Sequence, residues 1–221
     1  MLVRISAAVS ICWALSIAGA CAEPPTIKID FVQDGIGTPP ANFDFSQTGG
    51  GPPGQWTVVR DATAVQGAAI EQFSRETKDG RLPLAIYRPA SLKNVVAAVR
   101  FKILEGRMQT AGIAVRVANA DTYYVAVANA LEGRVDLFRF INGRRTRVAG
   151  VDAEVARTRW QTLQIVANEN RFTVSLDGTR LFSASDDSFM KDGHVALWTE
   201  EDNATRFDEI VITPFTYPEA R

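Results

Sequence analysis

The chain has 221 residues, of which 46% are hydrophobic and 22% charged, so it can bury a substantial core and is neither disordered nor a membrane protein. It has 24 Lys and Arg against 25 Asp and Glu, and this net charge of −1 supplies none of the electrostatic attraction that nucleic-acid binding normally needs. The composition therefore favours a globular domain and excludes a nucleic-acid partner.

The N-terminal segment has the organisation of a secretory signal peptide, which we assign to residues 1–22. A single basic residue, Arg4, precedes an apolar run that is too short to span a membrane and ends in small residues. Cleavage after Ala20 and cleavage after Ala22 both fit this pattern. The third alternative is lipoprotein processing before Cys21, because AGAC resembles a bacterial lipobox that lacks the usual leucine. We therefore expect an exported protein, periplasmic or extracellular, or an outer-membrane lipoprotein with a lipid anchor at Cys21.

Cysteine and histidine are too scarce for a disulfide or a zinc site in the mature domain, residues 23–221. The two cysteines, Cys12 and Cys21, lie within the signal peptide, and the single histidine is His194. A domain of this size does not need a disulfide, because its core alone can stabilise it. The sequence also excludes a zinc site of the usual Cys/His type. We expect no metal and no cofactor, with a structural calcium as the alternative.

Short strand-like segments recur along the chain at spacings of about 8 to 12 residues, which is typical of a β-sandwich or barrel. Residues 33–55 are rich in Gly and Pro and are predicted to form a loop. Helical periodicity is almost absent, and the only candidate helical turns are residues 153–157 and 187–191. The predicted strands are 26–31, 56–60, 68–74, 84–87, 95–104, 111–117, 123–129, 134–141, 144–151, three consecutive strands within 160–182, 194–199 and 204–213.

The stretch WQTLQIVANENRFTVSLDGTRLF, residues 160–182, contains three antiparallel strands with their turns. In its middle strand Phe172, Val174 and Leu176 alternate with polar residues, so they share the face that enters a core. Asp177-Gly178 then fits a tight turn whose central residues both have positive φ. We predict an all-β fold: a single two-sheet antiparallel jelly-roll sandwich over residues 23–221.

Five motifs follow one another in a familiar order. They are AGIAVR at 111–116, YYVAVANALEGRVDLFRF at 123–140, W-x-x-L-x-I at 160–165, FTVSLDG at 172–178 and GHVALWTEEDNATRFDEIVI at 193–212. Their order resembles that of the concanavalin A-like, laminin G-like jelly rolls. More narrowly, the chain resembles bacterial secreted proteins with a 3-keto-disaccharide hydrolase-like, or family 16 glycosidase-like, domain. The resemblance implies a jelly-roll fold, in which W-x-x-L-x-I and LDG are structural motifs of core and turn.

The sequence departs from the catalytic patterns of these relatives. The strand that usually reads Y-E-V-Q-I in the hydrolase-like proteins has Tyr124 and Ala126 in place of its carboxylate and amide. The E-x-D-x-E triplet of family 16 glycosidases, which sets two carboxylates on one face of a strand, is absent. We therefore predict non-catalytic glycan recognition and assign no catalytic residue. The alternative is a glycoside hydrolase of the 3-keto-disaccharide hydrolase-like type.

Three predicted strands set small residues beside one or two large groups on the same face. We expect these faces to share one sheet and to form a shallow groove on its concave side, lined by Arg116, Tyr124, Trp198 and His194. Aromatic rings cover the apolar face of a sugar and arginine supplies fixed donors, so a glycan or small carbohydrate is the expected ligand. The alternative is that loops or a partner cover this face. For His194 alone, a surface or hydrogen-bonded structural role is preferred to catalysis.

Two kinds of charged stretch are interpreted as solvated surface. The acidic clusters at 186–187 and 200–202 lack a recognisable calcium-loop signature, although acidic loops can bind calcium. Residues 134–159 contain seven arginines, for which an ion-paired surface is the first interpretation. A site for an anionic glycan or a phospholipid headgroup is the alternative.

Mass spectrometry of the mature N-terminus is expected to identify one of the three processing products. Lipoprotein processing adds a diacylglyceryl group to Cys21, whereas simple cleavage leaves a free Cys21 or Glu23 as the first residue. An exported protein that retained Met1 would contradict the signal-peptide assignment.

Overall fold

A computed structural model describes residues 25–214, within which the chain forms fifteen strands and no helix. The predicted signal peptide, its cleavage sites and Cys21 lie outside these residues. The strands are β1 (Ile27–Ile29), β2 (Phe43–Thr48), β3 (Trp56–Arg60), β4 (Ala68–Gln72), β5 (Leu82–Leu92), β6 (Val95–Glu105), β7 (Thr110–Asn119), β8 (Thr122–Asn129), β9 (Arg134–Ile141), β10 (Arg144–Asp152), β11 (Gln161–Asn168), β12 (Arg171–Leu176), β13 (Thr179–Ser185), β14 (Gly193–Trp198) and β15 (Ala204–Pro214).

The strands form two antiparallel sheets that pack face to face. The eight-stranded sheet has the order β13-β12-β11-β6-β15-β4-β3, with β1 paired to β15. The seven-stranded sheet has the order β10-β9-β8-β7-β14-β5-β2. The predicted all-β fold, a two-sheet antiparallel jelly-roll sandwich, is therefore confirmed.

Side chains from the facing sides of the two sheets form the main hydrophobic core. Phe172, Val174 and Leu176 of β12 lie in this core, as their alternation predicts. Each such side chain stabilises the fold by about 1.5–3 kcal/mol when it is removed from water. Asp177 and Gly178 make the turn between β12 and β13 with φ of 49° and 76°, as predicted for a tight hairpin.

The prediction of a continuous loop over residues 33–55 is wrong, because this region contains β2. Phe43 of β2 packs in the main core with its ring centroid 5.4 Å from that of Tyr87, and Phe45 stacks 6.3 Å from Trp56. Gly and Pro runs flank the strand on both sides and hide it in the local composition. The two predicted helical turns, at 153–157 and 187–191, are also wrong, since neither segment is helical.

The outer side of the eight-stranded sheet carries a charged network. Lys102 and Arg206 both donate hydrogen bonds to Asp61. Burial alone would raise the pKa of Asp61, but hydrogen bonds led by that from Lys102 outweigh it and hold this pKa well below its usual range. Trp160 lies on the same side, with its ring centroid 4.7 Å from Lys102 Nζ. In the W-x-x-L-x-I motif, Leu163 therefore enters the core, but the half-buried Trp160 does not.

Val174→Asp is expected to lower the free energy of unfolding by roughly 3 kcal/mol or more, because it places an unpaired charge in the main core. The matched control is Thr173→Asp on the opposite face of β12, where the carboxylate can stay in water. Urea unfolding followed by circular dichroism measures both losses. Equal losses would show that the two faces of β12 are wrongly assigned.

Candidate functional site

The seven-stranded sheet is apolar on both of its faces. Its inner face contributes to the main core, and its outer face, turned away from the eight-stranded sheet, carries a second hydrophobic cluster. The outer face of a sheet is usually polar, whereas the side chains of this cluster are apolar and buried. A ligand can therefore reach this face only where a cavity opens at its edge, among polar groups. This outer cluster consists of Leu82, Leu84, Ala114, Val117, Tyr123, Val125, Val127, Phe140, Ala196 and Trp198, with Ile86, Ala120 and Phe138 partly buried against it.

Trp198 belongs to the outer cluster and is held there by a chain of hydrogen bonds. Its Nε1–H donates to Tyr123 Oη at 3.2 Å. The Tyr123 hydroxyl lies 2.6 Å from Thr48 Oγ1, which donates to the Ala120 carbonyl. The indole also lies against Gly112, where an added Cβ would come within 3.1 Å of it. Trp198 is thus fully buried and acts as a packing residue of the outer face.

Tyr124 points to the opposite side of the sheet from Trp198, into the main core. Its ring centroid lies 4.4 Å from those of both Phe172 and Phe189, and its hydroxyl donates to Asp186 Oδ1 at 2.6 Å. Burial is the main reason that the pKa of Tyr124 is raised, and the bond to Asp186 adds to it. Tyr124 and Trp198 therefore cannot line one groove.

Arg116 is also turned into the interior, because it lies in a β-bulge. On β14 the pairing moves by two residues, from His194 to Ala196, while on β7 it moves by three, from Val117 to Ala114. The extra residue breaks the alternation of β7, and Arg116 adopts a φ of 52°. Its guanidinium carbon lies 5.3 Å from the Phe172 ring centroid, and burial lowers its pKa.

The predicted groove of Arg116, Tyr124, Trp198 and His194 is therefore not formed. Arg116 donates from Nε to the Lys93 carbonyl at 2.8 Å and is fully buried, as Tyr124 and Trp198 are. His194 Nδ1 lies 2.8 Å from the Ala90 carbonyl oxygen, which is the hydrogen-bonded structural contact that the sequence favours for it.

The facing of β8 explains much of this error. Its branched residues Val125 and Val127 lie on the outer face with Tyr123, and its small residues Ala126 and Ala128 lie in the main core. The predicted groove requires the branched residues of this strand to face the core. Both faces of this strand are buried, however, so side-chain size does not reveal which face is the inner one.

An open cavity of about 640 Å³, here called the outer cavity, lies at one end of the outer face. The loop after β2 and the loop before β5 form one wall, where a Cβ at Gly49 would collide with the Gly80 carbonyl oxygen. The turn between β7 and β8 and the tip of the β9–β10 hairpin form the other wall. The polar side chains that line the outer cavity are Gln47, Thr48, Asp121, Asn142, Arg145 and Glu200.

Arg145 is held in one orientation at the outer cavity. Its guanidinium carbon lies 3.8 Å from the Phe138 ring centroid, and its Nη1 donates to Glu200 Oε1 at 2.9 Å. The Glu200 side chain is only 8% exposed, and burial raises its pKa although Arg145 acts in the opposite direction. The pair thus presents fixed donors and an acceptor to one cavity. Sequence reasoning missed this pair, but the Asn142-Gly143 turn fixes the register that sets Arg145 opposite Phe140.

A further carboxylate of the outer face, that of Asp136, is saturated by two arginines. Asp136 accepts from Arg134 Nε at 2.7 Å and from Arg147 Nε at 2.6 Å. An added Cβ at Gly150 would collide with Asp136, so this arrangement depends on a glycine in β10. Asp136 therefore stiffens the β9–β10 pair and has few lone pairs left for a ligand.

Within residues 25–214, no group of three or more His, Cys, Asp or Glu side chains is placed to hold a metal ion. The acidic cluster at 186–187 instead contributes Asp186, which accepts from Tyr124 and from Arg139. In the same part of the chain, no helix is long and apolar enough to cross a membrane.

Trp198→Ala is expected to lower the free energy of unfolding by about 3–5 kcal/mol, because it empties part of the outer cluster. Trp198→Phe keeps much of the apolar volume and should lose clearly less. Thermal and urea unfolding measure the two variants against the parent. If Trp198→Ala left the stability unchanged, the packing role would be contradicted and the predicted groove role of Trp198 would be supported.

Three solved structures share this fold at low sequence identity. Carbohydrate-binding module CBM66 from Bacillus subtilis aligns with a TM-score of 0.58 and 21% identity, over 76% of this chain and 94% of that chain. Domain 4 of AbnA, a GH43 extracellular arabinanase from Geobacillus stearothermophilus, aligns with a TM-score of 0.56 and 13% identity, over 85% of this chain and 90% of that chain. Bacillus licheniformis beta-glucanase aligns with a TM-score of 0.56 and 9% identity, over 87% of this chain and 99% of that chain. These likenesses show the concanavalin A-like jelly-roll fold.

The sequence itself matches one protein family, whereas no curated protein matches it. Residues 94–215 match the model of the galactocerebrosidase C-terminal lectin domain, and this match includes β7, β8, β9, β10 and β14 of the seven-stranded sheet. Because the match spans more than half of the 221 residues, the chain belongs to the family of the galactocerebrosidase C-terminal lectin domain.

Proposed function

We propose that the protein binds a glycan in the outer cavity and does not cleave it. The observation that carries this proposal is the Arg145–Glu200 pair, in which a cation and a carboxylate lie 2.9 Å apart in the lining of an open cavity. Arg145 lies on β10 with its guanidinium against Phe138 of the outer face, and Glu200 follows β14 by two residues and is fixed by its burial, so both partners are well positioned.

The chemistry of this cavity matches the chemistry of a sugar. Each hydroxyl group of a sugar is both a donor and an acceptor, and its ring has an apolar C–H face. Arg145 supplies N–H donors, Glu200 and Asp121 supply acceptors, and the Asn142 amide supplies both. Phe140 is the aromatic residue of the lining. A pocket with a few fixed polar groups above an apolar floor is the general form of a small-ligand site.

The comparisons support the same function. The family is described as a lectin domain, CBM66 is named as a carbohydrate-binding module, and AbnA domain 4 was solved in complex with arabinotriose. The structural neighbours have low identity to this chain, so the cavity geometry remains the main support.

The alternative, a glycoside hydrolase, has one observation in its favour: burial raises the pKa of Glu200, and a general acid needs a raised pKa. A hydrolase also needs a second carboxylate as nucleophile or base. Asp136 is already bonded to Arg134 and Arg147. Asp121 lines the outer cavity with Glu200, but it lies in the exposed turn between β7 and β8, and no hydrogen bond from residues 25–214 fixes its carboxylate, whereas catalysis needs positioned groups. These two observations favour binding over turnover. Release of reducing sugar by the parent protein but not by Glu200→Gln would decide for the hydrolase.

We also propose that the protein is exported to the periplasm or the medium, or anchored in the outer membrane through a lipid on Cys21. The support is the N-terminal sequence alone. A glycan ligand fits this location.

A glycan array followed by calorimetry on the best ligand tests the proposed site. Asp121→Asn and Arg145→Lys are each expected to weaken binding by at least about tenfold, a loss of about 1.5–3 kcal/mol. Asp121→Asn removes a charged acceptor, and Arg145→Lys replaces a guanidinium that can bond Glu200 and the ligand at once by an ammonium without that planar fork. Arg145→Lys keeps the positive charge beside Glu200, so the fold should persist.

The matched control is Asp152→Asn, whose side chain is 92% exposed at the far end of β10. It should bind like the parent. Equal affinity of all three variants for the ligand would refute the outer cavity as the site, and an array without any ligand would refute the function.

A further inference from the structure

The β9–β10 hairpin has a second cavity on the side opposite to Arg145. Because side chains alternate along a strand, Arg144 and Thr146 project to the other side of β10 from Arg145. Together with Arg139, Ile141 and Asn142 they line an open cavity of about 570 Å³, here called the hairpin cavity. Its lining includes no carboxylate, unlike that of the outer cavity.

Arg139 is positioned firmly in this cavity. Its Nη1 donates to Asp186 Oδ2 at 2.6 Å and to the Ser188 hydroxyl. Asp186 is itself fixed, because it accepts from the Tyr124 hydroxyl at 2.6 Å and from the Ser188 amide at 2.9 Å. Asp186 offsets the charge of Arg139 but leaves its Nε and Nη2 without a partner among residues 25–214.

Arg144 supplies the net charge of the hairpin cavity. Its side chain is exposed, and no hydrogen bond or ion pair joins it to any residue of the described chain. A free cation beside a fixed guanidinium is an arrangement that recognises an anionic group, since arginine forms paired hydrogen bonds with carboxylate or sulfate oxygens.

We propose that the hairpin cavity binds the acidic group, a carboxylate or a sulfate, of a glycan. Arg144 closes on the anion, Arg139 donates to it from a fixed position, and Asn142 and Thr146 bond the neighbouring hydroxyls. The inference goes beyond the neutral sugar site of the outer cavity. The two cavities share Asn142, at the tip of the hairpin, and can be tested separately.

A glycan fits this cavity better than an anionic membrane does. Binding to a lipid surface takes a cluster of several free cations and usually an exposed apolar residue that inserts. The hairpin cavity has one unpaired cation, and its apolar residue, Ile141, is only partly exposed. The concave shape and the adjacent amide and hydroxyl instead match a sugar that carries a charged substituent.

Three matched ligands test the proposal: methyl glucoside, methyl glucuronide and methyl glucoside 6-sulfate, titrated into the ¹⁵N-labelled protein. At about 0.02 M salt, where screening is weak, the acidic sugars are expected to bind at least tenfold more tightly than the glucoside. Their largest shifts should fall on residues 139–146. Arg144→Gln should remove most of this preference, because it deletes the free cation and breaks no contact within the fold.

The matched control is Arg159→Gln, which removes the same charge from an exposed site outside the hairpin and should keep the preference. Arg145→Lys should also keep it, even if the outer cavity binds nothing, so the two sites can fail independently. Equal affinity for the three sugars, or an unchanged preference in Arg144→Gln, would overturn the proposal. Binding of phosphatidylserine vesicles without binding of the acidic sugars would overturn it in favour of a membrane surface.

Discussion

Every strand of the seven-stranded sheet packs the side chains of one side into the main core, and the side chains of its opposite side form the outer face. The aromatic group formed by Tyr124, Phe172 and Phe189 fills the space between the sheets near β8. Close packing leaves room for only small side chains beside this group, so β8 sends Ala126 inward and its valines outward. The apolar outer face is a consequence of that packing. The cavity at its end depends on the packing too, because the Arg145 guanidinium lies against the Phe138 ring and Arg145 pairs with Phe140 across the hairpin.

The β9–β10 hairpin supplies charged side chains to two separate cavities. Successive residues of β10 point to opposite sides, so Arg145 joins Glu200 in the outer cavity and Arg144 reaches the hairpin cavity. The ion pair between Asp136 of β9 and Arg147 of β10 holds the two strands together, and Gly150 leaves room for the Asp136 carboxylate. Binding groups on a paired and braced hairpin lose little conformational freedom when a ligand arrives, and this preorganisation favours affinity.

Membership in a lectin-domain family and an engaged set of carboxylates both support the proposal that the protein binds a glycan without cleaving it. A hydrolase needs carboxylates that are free to act as acid, base or nucleophile. Here Asp136 and Asp186 instead accept hydrogen bonds from arginines of the same chain. Glu200 and Asp121 are exceptions, because both line the outer cavity. Burial raises the pKa of Glu200, but Arg145 lies against its carboxylate and favours the ionised form. An ionised, hydrogen-bonded carboxylate is an acceptor for sugar hydroxyls, which is the role the proposed function gives it.

The sequence by itself determined the β class, most of the strands, the tight turn at Asp177-Gly178 and the inner face of β12. These features are local: a period of two and a residue that tolerates positive φ act within one hairpin. The short strand β2 was missed because Phe43 and Phe45 act through contacts with Tyr87 of β5 and Trp56 of β3, which lie beyond the Gly- and Pro-rich segment around β2.

Only the tertiary structure decided where the functional side chains point. A single extra residue at Arg116 shifts the alternation of β7, and no local pattern in AGIAVRV marks that bulge. The facing of β8 was equally hidden, because both of its sides are buried and apolar. Arg145, Glu200 and Asp121 lie on different elements and meet only when the seven strands are in register. A binding site of this kind is set by long-range pairing and packing, and the sequence of any one strand does not contain that information.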